Sequence, residues 1–206
     1  MTSYKLTYFN IRGRGEVVRI LFKLAGVDFE DQRIEFPDEW MEYKAKTPFG
    51  RLPILEVDGK QLTESKAIMR YLAREFGFYG DTNWGRSQVD CVLDMLEDFH
   101  VDANKMFYAQ AEERDRIVAE AKVRSLEILA NLEKKLKENN NGDGFFVGNK
   151  ITIADVLFFC ETFFVPALTG DKEIIKGFPK LLALRDRVGQ NQRIAAWVAQ
   201  RPQTAF

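Results

Sequence analysis

The sequence has 206 residues, 46% of them hydrophobic and 30% charged, the make-up of a globular chain large enough for one sizeable domain or two modest ones. Its 30 basic and 31 acidic side chains leave a net charge of −1, which excludes a global basic field for polyanions. No run approaches the ~18 apolar residues of a membrane span, and the opening Met1-Thr2-Ser3-Tyr4-Lys5 has no apolar signal core, so a cytoplasmic location is expected.

Strand and helix signals alternate over residues 1–78. Tyr4, Leu6 and Tyr8 alternate with Lys5 and Thr7, which predicts a strand, and Val17, Val18, Ile20, Leu21 and Leu24 then recur at helical spacing up to Gly26. A second short strand is expected around Phe29 to Ile34. Pro53 stands at the entrance to the apolar run Ile54, Leu55 and Val57, which a proline can begin but not interrupt. Asp58-Gly59 then favours a type I′ hairpin into Lys60-Gln61-Leu62. Ser65 reads as the N-cap of a helix carrying Ala67, Ile68, Tyr71 and Leu72 and stopping near Gly77. The order is βαβ followed by ββα, an α/β layer. A strand led by Pro53 leaves the backbone of Leu52 available, and the free N–H groups at the start of the helix attract a carboxylate. Together they suit a small peptide with a terminal carboxylate.

Residues 79–84 read as a linker, after which helical periodicity dominates over 85–206, including an amphipathic stretch from Ile117 to Leu136. The Asn/Gly patch at 139–144 is a loop. Thr152-Ile153-Ala154-Asp155 is a capping box, with Ile151 and Val156 placed as a hydrophobic staple, and its loss should cost about 1 kcal/mol or somewhat more. The apolar run after it predicts a central helix. Cys91 and Cys160 form neither a CxxC motif nor a metal-ligand set with the single His100, and are expected to be buried thiols in a reducing compartment. Asp94, Glu97 and Asp98 make an acidic helix face of the kind that is usually solvated.

With these residues in view, the chain resembles a cytosolic glutathione transferase, sigma-like and of nematode type. The likeness rests on Leu52-Pro53, expected to be a cis bond, on Glu64-Ser65, and on Thr152-x-x-Asp155. It extends to Tyr4-Lys5-Leu6-Thr7-Tyr8-Phe9-Asn10-Ile11-Arg12-Gly13-Arg14-Gly15, Pro48-Phe49-Gly50 and Trp197-Val198-Ala199-Gln200-Arg201-Pro202, and so covers essentially the full length. The fold implied is an α/β thioredoxin-like N-terminal domain over 1–78, which binds glutathione. An all-α helical C-terminal domain over 85–206 would contribute the hydrophobic electrophile site.

Taken alone, Tyr8 is a strand tyrosine, Arg14 a charge at a helix start and Trp40 a packing aromatic. The resemblance gives them roles. It implies that the Tyr8 hydroxyl donates to the glutathione thiolate, reinforced by Arg14. Trp40 and Lys44 reach the glycyl carboxylate, with Arg51 beside them. Leu52, ahead of Pro53, offers its backbone to the cysteinyl unit. Ser65 binds the γ-glutamyl carboxylate, and Glu64, where most sigma-type chains have Gln, faces the amino group. Asp98 would reach glutathione bound to the neighbouring subunit, which implies a homodimer, and Phe49 is a candidate apolar plug into that partner. By family position Phe9, Gly13, Phe107, Tyr108, Leu157, Cys160, Glu161 and Phe206 line the electrophile site.

The function implied is glutathione transfer to apolar electrophiles, with glutathione as cosubstrate and no metal. Two alternatives stand beside it: a glutathione-dependent prostaglandin D synthase-type isomerase, and a noncatalytic carrier of haem or other hydrophobic ligands. Nucleic acid and membrane partners are not expected. A glutaredoxin-like redox role is disfavoured, because no cysteine lies in the turn from Tyr8 to Gly13.

Overall fold

The computed structural model describes residues 2–204, apart from the side chains of Asn104, Phe107 and Tyr108. The chain packs as two units: residues up to Phe78 together with those from Asn191 on, and Tyr79–Gln190 between them.

The first unit is built on a four-stranded sheet of order β2-β1-β3-β4. Strand β1 (Tyr4–Phe9) pairs in parallel with β2 (Glu30–Ile34) and antiparallel with β3 (Ile54–Val57), which turns into β4 (Lys60–Thr63). The hairpin turn is made by Asp58 and Gly59, both at positive φ, as the type I′ signal requires. Helix α1 (Gly13–Ala25) crosses between the parallel strands and packs beside α3 (Ser65–Glu75). Leu6, Ile20, Leu21, Phe22, Ile34, Leu55, Ile68 and Leu72 form a fully buried core between sheet and helices. A short helix, α2 (Asp38–Tyr43), follows β2, and the Leu52-Pro53 bond is cis.

The second unit is helical: α4 (Asn83–Tyr108), α5 (Ala111–Lys137), α6 (Ile153–Thr169) and α7 (Pro179–Gly189). Helix α6 is the centre of this unit, packing against α4, α5 and α7, and Ile153, Ala154, Val156 and Phe158 are buried along it. Its capping box forms, and the Asp155 carboxylate also accepts the Phe146 N–H at 2.9 Å. Among the described residues, no helix is long and apolar enough to cross a membrane.

Three expectations change. The segment 79–84 is not a plain linker: Tyr79 is buried, its hydroxyl donates to Asp90 at 2.6 Å, and α4 begins at Asn83 under a Thr82 cap. Helix α8 (Gln192–Gln200) packs on α1, so the end of the chain belongs with the first unit rather than with a domain running 85–206. The physical cause is a set of polar contacts at each end of α1. Arg193 donates to the Leu24 carbonyl at 2.7 Å, and Trp197 donates to Glu16 at 2.9 Å. Finally, Cys91 is exposed and Cys160 half-buried, contrary to the expectation of two buried thiols. Cys91 lies in line with Asp94 and Asp98 on the outward face of α4, where helical geometry leaves all three uncovered.

Candidate functional site

Tyr8 sits one residue before the end of β1 and is buried. The chain then turns sharply, with Gly13 at φ +36°, and enters α1. This brings the backbone N–H of Arg14 to 3.1 Å from the Tyr8 hydroxyl oxygen, which accepts its hydrogen bond. The fit is close enough to demand glycine. A Cβ on Gly13 would lie 2.8 Å from the Tyr8 hydroxyl, and one on Gly15 would lie 2.4 Å from Cδ1 of the ring. Burial pushes the Tyr8 phenol up, against the pull of the Arg14 N–H and of the Arg14 and Arg19 charges. At neutral pH the hydroxyl therefore keeps its proton. Its oxygen already accepts from Arg14, so the O–H is left to act as a donor.

The Arg14 side chain ties this turn to the start of α3, donating from Nη1 to the Ser65 hydroxyl at 3.4 Å. Ser65 is buried and is the first residue of α3, not its cap. The cap position belongs to the exposed Glu64, held at φ +68° without a capping hydrogen bond from its side chain. A positive φ at glutamate is uncommon and costs conformational energy, a pattern concentrated at functional positions. Ser65 could not show this in the sequence, because a serine at the first helical turn reads the same whichever residue bends the chain.

On the other side of Tyr8, Phe9 packs edge-on against Trp40 with ring centres 5.2 Å apart. Trp40 is the one buried residue of α2. Lys44 is exposed and follows directly, and its stem lies over Gly50, where an added Cβ would be 3.4 Å from Lys44 Cε. Arg51 is exposed, Leu52 half-buried and Pro53 buried ahead of β3. The first unit thus gathers Tyr8, Phe9, Gly13, Arg14 and Ser65 around one turn, with Trp40 beside Phe9 and Lys44 over Gly50. Phe49 projects from this loop and is 70% exposed.

The remaining described candidates lie in the second unit. Asp98 is exposed on α4, Leu157 is buried on α6 and Cys160 is half-buried. Glu161 is buried, not open to solvent: Oε1 meets His100 Nε2 at 3.0 Å, and Oε2 has no hydrogen-bond partner. His100 in turn stacks on Phe164, with ring centres 5.0 Å apart. The side chains of Phe107 and Tyr108, and Phe206 as a whole, lie outside the described residues. No group of three or more metal-ligating side chains occurs among the described residues.

Two residues that sequence reasoning passed over stand against Tyr8: Gly15, and Arg19, whose Cζ lies 5.8 Å from the ring centre. Glu16 stands behind Arg19, and both are buried on α1. Their only sequence signal is a pair of charges set three apart on a helix face that is otherwise apolar.

Residues 4–74 match the family described as glutathione S-transferase, N-terminal domain, and residues 97–201 match glutathione S-transferase, C-terminal domain. Glutathione S-transferase 1 of Ascaris suum is 38% identical over 211 residues, with 100% of each chain covered. Hematopoietic prostaglandin D synthase of Gallus gallus is 40% identical over 211 residues, again with 100% of each covered. The solved structure of a Nu-class GST from Haemonchus contortus is similar at a TM-score of 0.85 and 36% identity, covering 100% of both chains. The expected thioredoxin-like domain followed by a helical one is borne out.

Proposed function

The chain belongs to the glutathione S-transferase family, and from that premise we propose that it conjugates glutathione to apolar electrophiles, a detoxifying reaction in the cytoplasm. The observation that carries this reading is the Tyr8 hydroxyl, buried, protonated and supplied with one acceptor bond from Arg14. Such a group donates to a thiolate and favours it over the thiol.

The size of that effect is limited. A cysteinyl thiol titrates near ~8.5, so lowering its pKa by ~2 raises the thiolate fraction at pH 7 about 25-fold. Nucleophilicity falls with pKa at a slope of ~0.4–0.5, which leaves a few-fold net gain. Most of the acceleration then comes from holding thiolate and electrophile together, for which ~7–11 kcal/mol is the ceiling. The pocket supplies the holding. Ser65 and the N–H groups of α3 bind the γ-glutamyl carboxylate, with Glu64 toward the ammonium group. Leu52, before Pro53, pairs with the cysteinyl backbone. Lys44, Arg51 and the Trp40 indole N–H take the glycyl carboxylate. Asp98 of one subunit completes the glutathione site of its partner in a homodimer.

Turnover of 1-chloro-2,4-dinitrobenzene with glutathione tests this. In Tyr8→Phe the loss of a hydrogen bond to a charged sulfur, ~1.5–3 kcal/mol, raises the thiol pKa by about 1–2, moves the pH profile of kcat toward that of the free thiol and lowers the rate at pH 7 by a few-fold. Unchanged rates would overturn the assignment. A second reading, isomerisation of a prostaglandin endoperoxide by the same thiolate, is supported by the relative from Gallus gallus, which is named for prostaglandin D synthesis. Product analysis with the endoperoxide separates the two.

A further inference from the structure

Behind Tyr8 lies a chain of alternating charges. Arg19 is fully buried, yet all its nitrogens are engaged. Nε donates to Asp31 at 3.0 Å, Nη1 to the Ile11 carbonyl at 2.7 Å and Nη2 to the Phe9 carbonyl at 3.3 Å. The guanidinium therefore clamps the backbone on the far side of Tyr8, where β1 turns into α1. Its Cζ lies 5.8 Å from the centre of the Tyr8 ring. On one flank Arg33 of β2 pairs with the same Asp31 at 2.8 Å and donates to Asn10 at 3.1 Å. On the other, Glu16 Oε2 stands 3.6 Å from Arg19 Nη1. Glu16 Oε1 accepts from Trp197 Nε1 at 2.9 Å and from Arg201 Nη1 at 2.8 Å, both supplied by the C-terminal segment.

We propose that Arg19 is the positioning residue of Tyr8, and that the C-terminal Arg201, acting through Glu16 and Arg19, sets how readily the Tyr8 hydroxyl parts with its proton. The series Arg33, Asp31, Arg19, Glu16, Arg201 alternates in sign, so each member determines how much of its neighbour's field remains uncompensated. Removing Arg201 leaves more of the Glu16 charge to offset Arg19, and Tyr8 loses support for its anionic form. Removing the Glu16 charge does the reverse. Arg14 from α1 also faces Tyr8, while α3 presents the uncharged Ser65. The burial that pushes the phenol up makes these charges count, because they act across little water.

The consequence for catalysis rests on the reading of Tyr8 given above, but the test does not need glutathione. Protein labelled with 3-fluorotyrosine brings phenol ionisation into the range where the fold persists. The Tyr8 signal in 19F spectra is assigned by its disappearance in Tyr8→Phe. Arg201→Gln should raise the Tyr8 titration midpoint and Glu16→Gln should lower it, each by ~0.5 pH unit, with the double variant between them. Displacements of opposite sign are what charge coupling requires. No shift, or shifts in one direction, in variants with native circular dichroism would overturn the proposal. If Glu16→Gln does not fold, Arg201→Gln decides alone, by an upward shift or its absence. Arg19→Lys, which keeps the charge without the fork, should broaden or double the Tyr8 signal; one sharp signal at the native shift would remove the positioning role. Titrations that move as expected in a protein without conjugating activity would sustain this coupling while refuting the transferase reading.

Discussion

Gly15→Ala separates two opposing terms at Tyr8. Gly15 lies in the first turn of α1 and is not at positive φ, so alanine fits the backbone and should gain ~0.5–1 kcal/mol of helix propensity. The new methyl, however, would meet Tyr8 Cδ1 at 2.4 Å, Cγ at 2.8 Å and Cβ at 3.2 Å. Carbon atoms settle at ~3.5–4.0 Å, so ring and helix must separate by about 1 Å. The methyl meets the root of the side chain rather than a flexible tip, and Tyr8 is anchored in the centre of the sheet. Overpacking of this kind costs ~1–3 kcal/mol, which outweighs the propensity gain and leaves a net loss of about 1 kcal/mol. For a chain of this size that is a fall in Tm of ~2–4 °C. The displaced hydroxyl also loses part of its bond to the thiolate, so kcat for dinitrobenzene conjugation at pH 7 should fall by up to a few-fold, as in Tyr8→Phe, while KM for glutathione changes less. Thermal unfolding and steady-state kinetics on the same preparation measure both. A variant with a raised Tm and native kcat would refute the view that Tyr8 is held by contact with this turn.

Three further outcomes follow from the same structure. Asp155→Ala should cost about 3 kcal/mol, well above a simple cap deletion, because the Phe146 N–H, Thr152 N–H and Thr152 hydroxyl all lose their acceptor in a dry interior. A loss near 1 kcal/mol in urea unfolding would show that only the cap matters. Burial pushes the Asp155 carboxyl from 3.8 up to about 6. The native state then holds a proton that the unfolded chain releases, and stability from this group falls as pH rises from about 4 to about 6, by at most ~3 kcal/mol. The wild-type stability curve should therefore fall relative to that of Asp155→Asn across this window, and parallel curves would contradict it. Arg193→Met should lower stability by ~1 kcal/mol by removing the donor that caps the Leu24 carbonyl at the end of α1; an unchanged Tm would show that this carbonyl finds water instead.

What the sequence disclosed was what local chemistry decides. Asp58-Gly59 fixes its hairpin because two consecutive residues at positive φ suit few other pairs, and Thr152-x-x-Asp155 closes within one turn. Helix α2 escaped because six residues are too few to show a period, and it is the element that carries Trp40. Ser65 reads as an N-cap in the sequence but is the first helical residue of α3, since the bend lies in the backbone of Glu64. Cys91 was misjudged because a cysteine does not announce which helix face it occupies.

Glu16 and Arg19 were illegible for a different reason: one of their partners, Trp197, lies 181 residues from Glu16, and no pattern on α1 can foresee it. Stability alone does not account for them either. Buried ion pairs recover their desolvation cost only in good geometry, and apolar residues of equal volume often serve as well or better. An apolar pair at these buried positions would need neither Trp197 nor Arg201 as a partner. It would not place a fixed positive charge 5.8 Å from the Tyr8 ring, nor hold the carbonyls of Phe9 and Ile11 where the strand turns. The charges lie where a phenol must be oriented and its proton tuned, which is the property that an apolar core of equal stability would lack.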